Sequence, residues 1–174
     1  FRRVLFRSLR HAWRSLERFP GGAWFCDLSE ARSVEGIAHA VARALEVPLG
    51  KDDPVVQLGH AIAGRGKCLV VLDNFEQVAR HASETLGKWL ERAREATFVV
   101  TTREVLGLPG EHSLALAPLV AKDATELFID RARAVRSGFA PDEEERVEID
   151  RLVKLLDYLP LAIELAAARV RVMS

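Results

Sequence analysis

Apolar positions fall into two textures along this chain. Up to about Leu119, short and mostly continuous apolar runs alternate with segments in which apolar residues recur every three or four positions; beyond it only the second texture remains. Ala23-Trp24-Phe25-Cys26-Asp27-Leu28, which follows a glycine pair, predicts a buried strand. Cys68-Leu69-Val70-Val71-Leu72-Asp73 and Thr97-Phe98-Val99-Val100-Thr101-Thr102 predict two more. A run without alternation suits a strand covered on both faces, as in a parallel sheet. His112 to Leu119 is expected to be one further strand. Between the strands, Ile37, Val41, Ala44 and Leu45 share a helical face within Ser33 to Val47, closed by Pro48-Leu49-Gly50. Asp53-Pro54, an N-cap acid before a proline at the first helical position, opens a helix that runs to about Ala63. A long helix is expected over roughly Glu76 to Glu95. Strands separated by helical segments argue for βαβ units and an α/β fold with a parallel sheet.

After Pro118 the pattern is helical only. Asp123 with Glu126 reads as a capping pair, and Ala124, Leu127, Phe128, Ala132 and Val135 lie on one face. Ser137-Gly138 breaks that helix, and Pro141-Asp142-Glu143-Glu144-Glu145 opens the next with its acids against the N-terminal dipole. Tyr158-Leu159-Pro160 interrupts, and Leu161 to Val172 forms a last, alanine-rich helix. The last third, residues 120–174, is therefore expected to be a small all-helical domain following an α/β domain over residues 9–119. Leu9 to Phe19 reads as the tail of a helix ended by Pro20-Gly21-Gly22.

Composition narrows the class. The 174 residues suffice for one medium domain and an appendage, and 49% hydrophobic with 29% charged residues is ordinary for a globule. Lys plus Arg equal Asp plus Glu, 25 each, so bulk charge attracts neither nucleic acid nor membrane. No clustered basic recognition helix argues for direct DNA binding by this segment. No apolar run approaches the ~18 residues that span a bilayer. Cys26 and Cys68 sit far apart in strand-like runs and are expected to be buried free thiols, which fits a cytoplasmic setting. His11, His39, His60, His81 and His112 have no metal-ligand spacing. Arg3-Val4-Leu5-Phe6-Arg7-Ser8 is what one frame of a common sequencing-adapter oligonucleotide encodes, so residues 1–8 are expected to be non-native and the authentic sequence to begin near Leu9; a genuine basic helix start is the other reading.

The candidate chemistry lies at strand ends. Ligands collect at the carboxyl ends of parallel strands, so Asp73 is placed to hold Mg²⁺ through a water beside nucleotide phosphates. An aspartate that merely caps the following turn is the alternative. The next strand ends in Thr101-Thr102-Arg103, two hydroxyls and a guanidinium whose planar fork suits phosphate. A surface ion pair of Arg103 with Glu104 or Glu76 is the competing reading. Glu76 is close enough in sequence to orient a water as general base, and helix capping would explain it equally. Leu159-Pro160 at a helix start is ordinary architecture.

Taken together, ordered segments resemble the STAND ATPases, the group that contains the NB-ARC domains. LVVLDNFEQV (residues 69–78) resembles their Walker B segment, and FVVTTREVLGLPGEHSLALAPL (98–119) their next strand with its sensor arginine, loop and last strand. RFPGGAWFCDLSEARSVEGIAHAVARALEV (18–47) is similar to their second strand and helix. DATELFIDRARAV (123–135) and LDYLPLAIELAAARVR (156–171) look like the helical domain whose Gly-Leu-Pro-Leu motif lines the adenine pocket. The resemblance implies Asp73 for Mg²⁺, Arg103 for the terminal phosphate, and Leu159 with Pro160 against adenine, beside which Thr102 is a candidate nucleotide-binding residue and Glu76 a candidate catalytic one. It further implies a cytoplasmic ATP- or ADP-binding switch, with a helix-turn-helix or similar effector and a repeat-type sensor as partner domains of the same parent chain. Asn74 stands where many relatives have a second acid, so hydrolysis is expected to be slow or absent, and Tyr158 replaces the motif's glycine. No G-x-x-x-x-G-K-[ST] occurs: the Gly-Lys pairs precede Asp52, Cys68 and Trp89. With the adapter-like start, this is expected to mark a truncated fragment that binds nucleotide poorly. The contrasting class is a non-enzymatic α/β interaction scaffold that never used nucleotide.

Overall fold

The computed structural model describes residues 16–171, which divide into two compact units with the boundary between Ser113 and Leu114. In the first unit, β1 (Ala23–Asp27), β2 (Leu69–Asp73) and β3 (Thr97–Val100) form a parallel sheet in the order β1-β2-β3. The register pairs Cys26 with Leu72 and Leu72 with Val100, and brings Asp27 level with Asp73. Because side chains alternate across a strand, Trp24, Cys26, Val70, Leu72, Phe98 and Val100 share one face. They belong to the apolar cluster that also contains Ile37, Val41 and Leu45 of α1 (Val34–Leu45) and Leu58 and Ile62 of α2 (Pro54–Ala63). Leu69 and Val71, which point to the other face, are buried as well, so β2 carries the unbroken apolar run of a fully covered strand.

Helix ends follow the capping signals. The Ser33 side chain accepts from the Gly36 amide, and Asp53 accepts from Val55 and Val56 with Pro54 in the first turn. Gly21 and Gly22 are required where the chain enters β1. Gly22 sits at φ 102°, and a Cβ on Gly21 would lie 2.0 Å from the Arg65 carbonyl oxygen. That close approach lets the Arg65 guanidinium stack 4.7 Å over the Trp24 ring while donating to the carbonyls of Ala61 and Leu45. One side chain thus ties the ends of both helices to the first strand.

Two expectations are corrected here. The single helix over Glu76 to Glu95 is absent. The segment is instead two 3₁₀ turns (Phe75–Gln77 and Ala79–His81), a π turn (Ser83–Gly87) and a short α3 (Lys88–Arg92). Phe75, Val78, Ala82, Leu86 and Trp89 keep the helical spacing and are all buried, but Val78 at φ −132° breaks the backbone. The Gly87 amide reaches back five residues to Ala82, and the Thr85 hydroxyl donates to the His81 carbonyl. Trp89 locks the result by donating its indole N–H to the Val55 carbonyl at 2.9 Å. The strand expected over His112 to Leu119 is also absent. That stretch has no regular structure, and Leu114 and Leu116 are 83% and 89% exposed. The Glu111 carboxylate takes the Leu106 and Leu108 amides and rounds the preceding residues into a loop, while Pro118 removes a ladder donor.

The second unit is three helices, α4 (Ala121–Val135), α5 (Glu143–Leu155) and α6 (Pro160–Ala167), around Phe128, Ile129, Ile149, Val153 and Ile163. Asp123 does not cap α4, which starts two residues earlier after Val120 without a side-chain cap; Glu126 pairs with Arg146 instead. Asp142 does cap α5, in a full capping box with Glu145. After α6 a 3₁₀ turn covers Ala168–Arg171, so the expected continuation to Val172 lies outside the described residues. The same holds for residues 1–8 and for most of the expected helix over Leu9 to Phe19, of which one 3₁₀ turn, Leu16–Arg18, is described. Among the described residues no helix is long and apolar enough to cross a membrane.

Cys26 and Cys68 are free and buried, as their setting in apolar strands implied. Burial pushes the Cys26 thiol up to about 12 and raises Cys68 as well, which keeps both unreactive. Replacing Asp142 by alanine should remove the capping box at a cost of about 1 kcal/mol. The second unit is all-helical, so loss of far-UV circular dichroism during urea unfolding reads this change.

Candidate functional site at the carboxyl edge of the sheet

The parallel register delivers three polar groups to one edge: Asp27 from β1, Asp73 from β2 and Thr101 one residue beyond β3. Asp73 is half-buried. Its Oδ1 accepts the Thr101 hydroxyl hydrogen, and its Oδ2 lies 3.5 Å from the Asn74 amide nitrogen. The backbone holds this corner closed, because the Phe75 amide donates to the Thr101 carbonyl and the Thr101 amide to that of Leu72. Asn74 adopts the left-handed conformation, φ 61°, which asparagine tolerates better than most residues. Its own amide donates to Thr101 Oγ1 at 3.0 Å, and its side chain to Asp27 Oδ1 at 3.0 Å.

Asp27 was not singled out from the sequence. The signal was present, an acid ending an apolar strand just as Asp73 does. Its carboxyl is held below the usual 3.8, chiefly by the Ser29 amide donated to it and further by Asn74.

The other expected site residues divide. Glu76 is half-buried, and Arg103 extends from the β3 end with its side chain 88% exposed. The Arg103 Nε lies 3.6 Å from Glu76 Oε1, so of the two readings weighed for this arginine the surface ion pair with Glu76 is present. An exposed pair of this kind contributes between about 0 and 1 kcal/mol, which a stronger anion can displace. Thr102 turns away: its hydroxyl oxygen accepts from the Glu104 amide in a local turn, and Thr101 is the threonine that meets Asp73. Leu159 and Pro160 belong to the second unit, as the N-cap and first residue of α6. Tyr158 before them sits at φ 55°, a conformation that favours glycine. Among the described residues no group of three or more His, Cys, Asp or Glu is placed to hold a metal.

Comparisons with known proteins place the chain within longer ones. It is 33% identical over 157 residues to an uncharacterized protein of Mycobacterium tuberculosis, across 90% of this chain and 40% of that protein, and equally to one of Mycobacterium bovis. It is 32% identical over 161 residues to a second M. tuberculosis protein, whose name proposes it as an HTH-type transcriptional regulator, across 92% of this chain and 18% of that protein. The chain thus spans 40% or less of the relatives it matches, and it is homologous to a segment of large proteins of that kind. No family model matches it, and no solved structure is significantly similar.

Two outcomes follow for this corner. Thr101→Val deletes both the donor to Asp73 and the acceptor of the Asn74 amide, and should cost the first unit about 1–2 kcal/mol, with Thr101→Ser retaining most of it. Tryptophan emission measures this, because Trp13, Trp24 and Trp89 all precede residue 114. Asp27, whose carboxyl is depressed, contributes stability that is fully present above the usual 3.8 and is lost as pH falls through the folded value. The stability gap between wild type and Asp27→Asn should therefore be flat from pH 7 to about 5 and close in more acid solution.

Proposed function

We propose that this chain is the nucleotide-responsive portion of a signalling switch within a larger transcription regulator. The observation that carries the reading is the position of Asp73. It is a half-buried carboxylate at the carboxyl end of a strand covered on both faces, with an arginine at the end of the neighbouring strand. That is where open α/β sheets bind ligands. In this reading Asp73 faces a hydrated Mg²⁺ and Arg103 meets the terminal phosphate of ATP.

The residues present fit part of that ligand. The Asp73 carboxylate is oriented by the Thr101 hydroxyl and keeps lone pairs for a metal-bound water. Among the described residues Arg103 is held by a 3.6 Å surface pair, so phosphate and Glu76 compete for one guanidinium. When phosphate wins, Glu76 is released to orient a water; when it leaves, the pair re-forms. The phosphate cradle is the part that does not fit, since the sequence has no G-x-x-x-x-G-K-[ST] run to supply backbone donors and a lysine. Mg²⁺, when bound, would neutralise phosphate charge; orientation and anion selection fall to Thr101, Asp73 and Arg103. Similarity to a protein whose name proposes HTH-type regulation supports a helix-turn-helix effector elsewhere in the parent, and the repeat-type sensor rests on the STAND resemblance alone.

A second reading, an α/β interaction scaffold, is favoured by the Arg103–Glu76 pair and by a neutral Asn74 beside Asp73. Titration of ATP and ADP into the full-length parent separates the two. Asp73→Ala and Arg103→Ala should each weaken Mg²⁺-ATP binding about ten- to a hundredfold, the loss of a charge-assisted contact, with a smaller effect of Arg103→Ala on ADP. No measurable binding of either nucleotide to the wild-type parent would establish the scaffold, and ATP and ADP affinities unchanged in both variants would overturn the assignment of Asp73 and Arg103.

A further inference from the structure

We infer that Asn74 is a positioning residue that sets the Asp73 carboxylate, with Asp27 as its counterweight, rather than the remnant of a lost catalytic acid. The inference rests on the reading of Asp73 as the metal-facing group. Asp27 and Asp73 are direct register partners at the ends of adjacent strands, so two like charges face each other across one strand spacing. No hydrogen bond or ion pair described joins either carboxylate to a cation, and the Arg43 charge favours ionised Asp27 from longer range. The group between them is the Asn74 carboxamide, whose nitrogen lies 3.0 Å from Asp27 Oδ1 and 3.5 Å from Asp73 Oδ2.

The amide orientation follows from chemistry: only its N–H side can face two carboxylate oxygens. The remaining bonds close a ring. Asn74 donates its backbone amide to Thr101 Oγ1, and the Thr101 hydroxyl donates to Asp73 Oδ1. Thr101 therefore fixes one oxygen of Asp73 firmly, and Asn74 holds the other loosely enough to leave it open to a metal-bound water. The left-handed backbone at residue 74 is what turns the side chain back over both acids, and asparagine and aspartate are the common side chains that accept that backbone. Aspartate would bring a third negative charge and no donor. With Asp27 in place, residue 74 has to be neutral and donating, which is a physical reason for asparagine at a position where an acid would otherwise serve.

The relation predicts that the two residues can be exchanged only together. Asn74→Asp, Asp27→Asn and the double exchange are compared in the full chain, and the double exchange has the same composition and net charge as wild type. Melting is followed by tryptophan emission in chelator without nucleotide, and Mn²⁺ binding by water-proton relaxation. Asn74→Asp should lower the melting temperature by about 5 °C, and the double exchange should recover most of that, because a carboxylate at 74 then accepts from an amide at 27. For Mn²⁺, Asn74→Ala should weaken binding about threefold or more through loss of Asp73 orientation. A double exchange at least as unstable as the sum of the single variants would overturn the pairing of Asn74 with Asp27. Unaltered Mn²⁺ affinity in Asn74→Ala would overturn the positioning role even if the melting data are coupled. Absence of Mn²⁺ binding to wild type would overturn the metal-facing reading of Asp73, and the melting comparison would still decide whether the pairing exists.

Discussion

The backbone of Leu69–Asp73 is hydrogen-bonded to a strand on each side and its side chains are buried on both faces. Burying a valine or leucine side chain stabilises by roughly 1.5–3 kcal/mol, and four such residues in succession leave little freedom to slip. A slip by one residue would also exchange Val70 and Leu72, which meet the helix cluster, for Leu69 and Val71. The register of β2 is therefore fixed by packing, and with it the level at which Asp27, Asp73 and Thr101 emerge. The polar corner is a consequence of how an apolar strand is held.

That corner must place two carboxylates side by side, and the electrostatics explain its other members. Each acid is supplied with neutral donors, Ser29 and Asn74 for Asp27, Thr101 and Asn74 for Asp73. Neutral donors orient a carboxylate without cancelling its charge, whereas a lysine or arginine in the same place would neutralise it. The Arg103 guanidinium is engaged by Glu76 and hydrogen-bonds to neither aspartate among the bonds described, and Arg43 acts on Asp27 at longer range. An edge built this way keeps its negative charge available and its guanidinium exchangeable, two properties that a cation-phosphate ligand would need and a purely structural edge would not.

Much of the fold was legible because local chemistry and packing agree. The strands at Ala23, Leu69 and Thr97, the cap at Asp53 and the buried cysteines all follow from neighbours in sequence, whereas the cap expected at Asp123 does not form. The failures occur where they part. Phe75 to Trp89 has a helical apolar spacing, yet Trp89 must reach the Val55 carbonyl and Asn74 must turn over the strand ends, so the backbone is divided into shorter turns. The Leu114 and Leu116 alternation would make a strand only beside a partner with free backbone groups, and none pairs with it among the described residues. Thr101 and Asp27 were harder to single out than Asp73, because a hydroxyl or carboxylate becomes part of a site through register, which is not a local property.

The second unit offers a complementary case in which the backbone is kept while the residue changes. Asp157 and Tyr158 hold φ values of 50° and 55° in succession, each costing about 1–2 kcal/mol relative to the right-handed region. Two hydrogen bonds and a packed ring hold them there: the Tyr158 amide donates to the Val153 carbonyl, its carbonyl accepts from Leu119, and its ring lies against the apolar cluster. Glycine would adopt this turn freely but could not fill the space over Val153. The tyrosine that departs from the resembled Gly-Leu-Pro-Leu motif therefore preserves the turn that glycine would make, and Leu159 and Pro160 still begin α6 from it. The departure bears on what lies beside the turn, not on whether the turn can form, and so it weighs less against the nucleotide reading than the residue identity alone suggests.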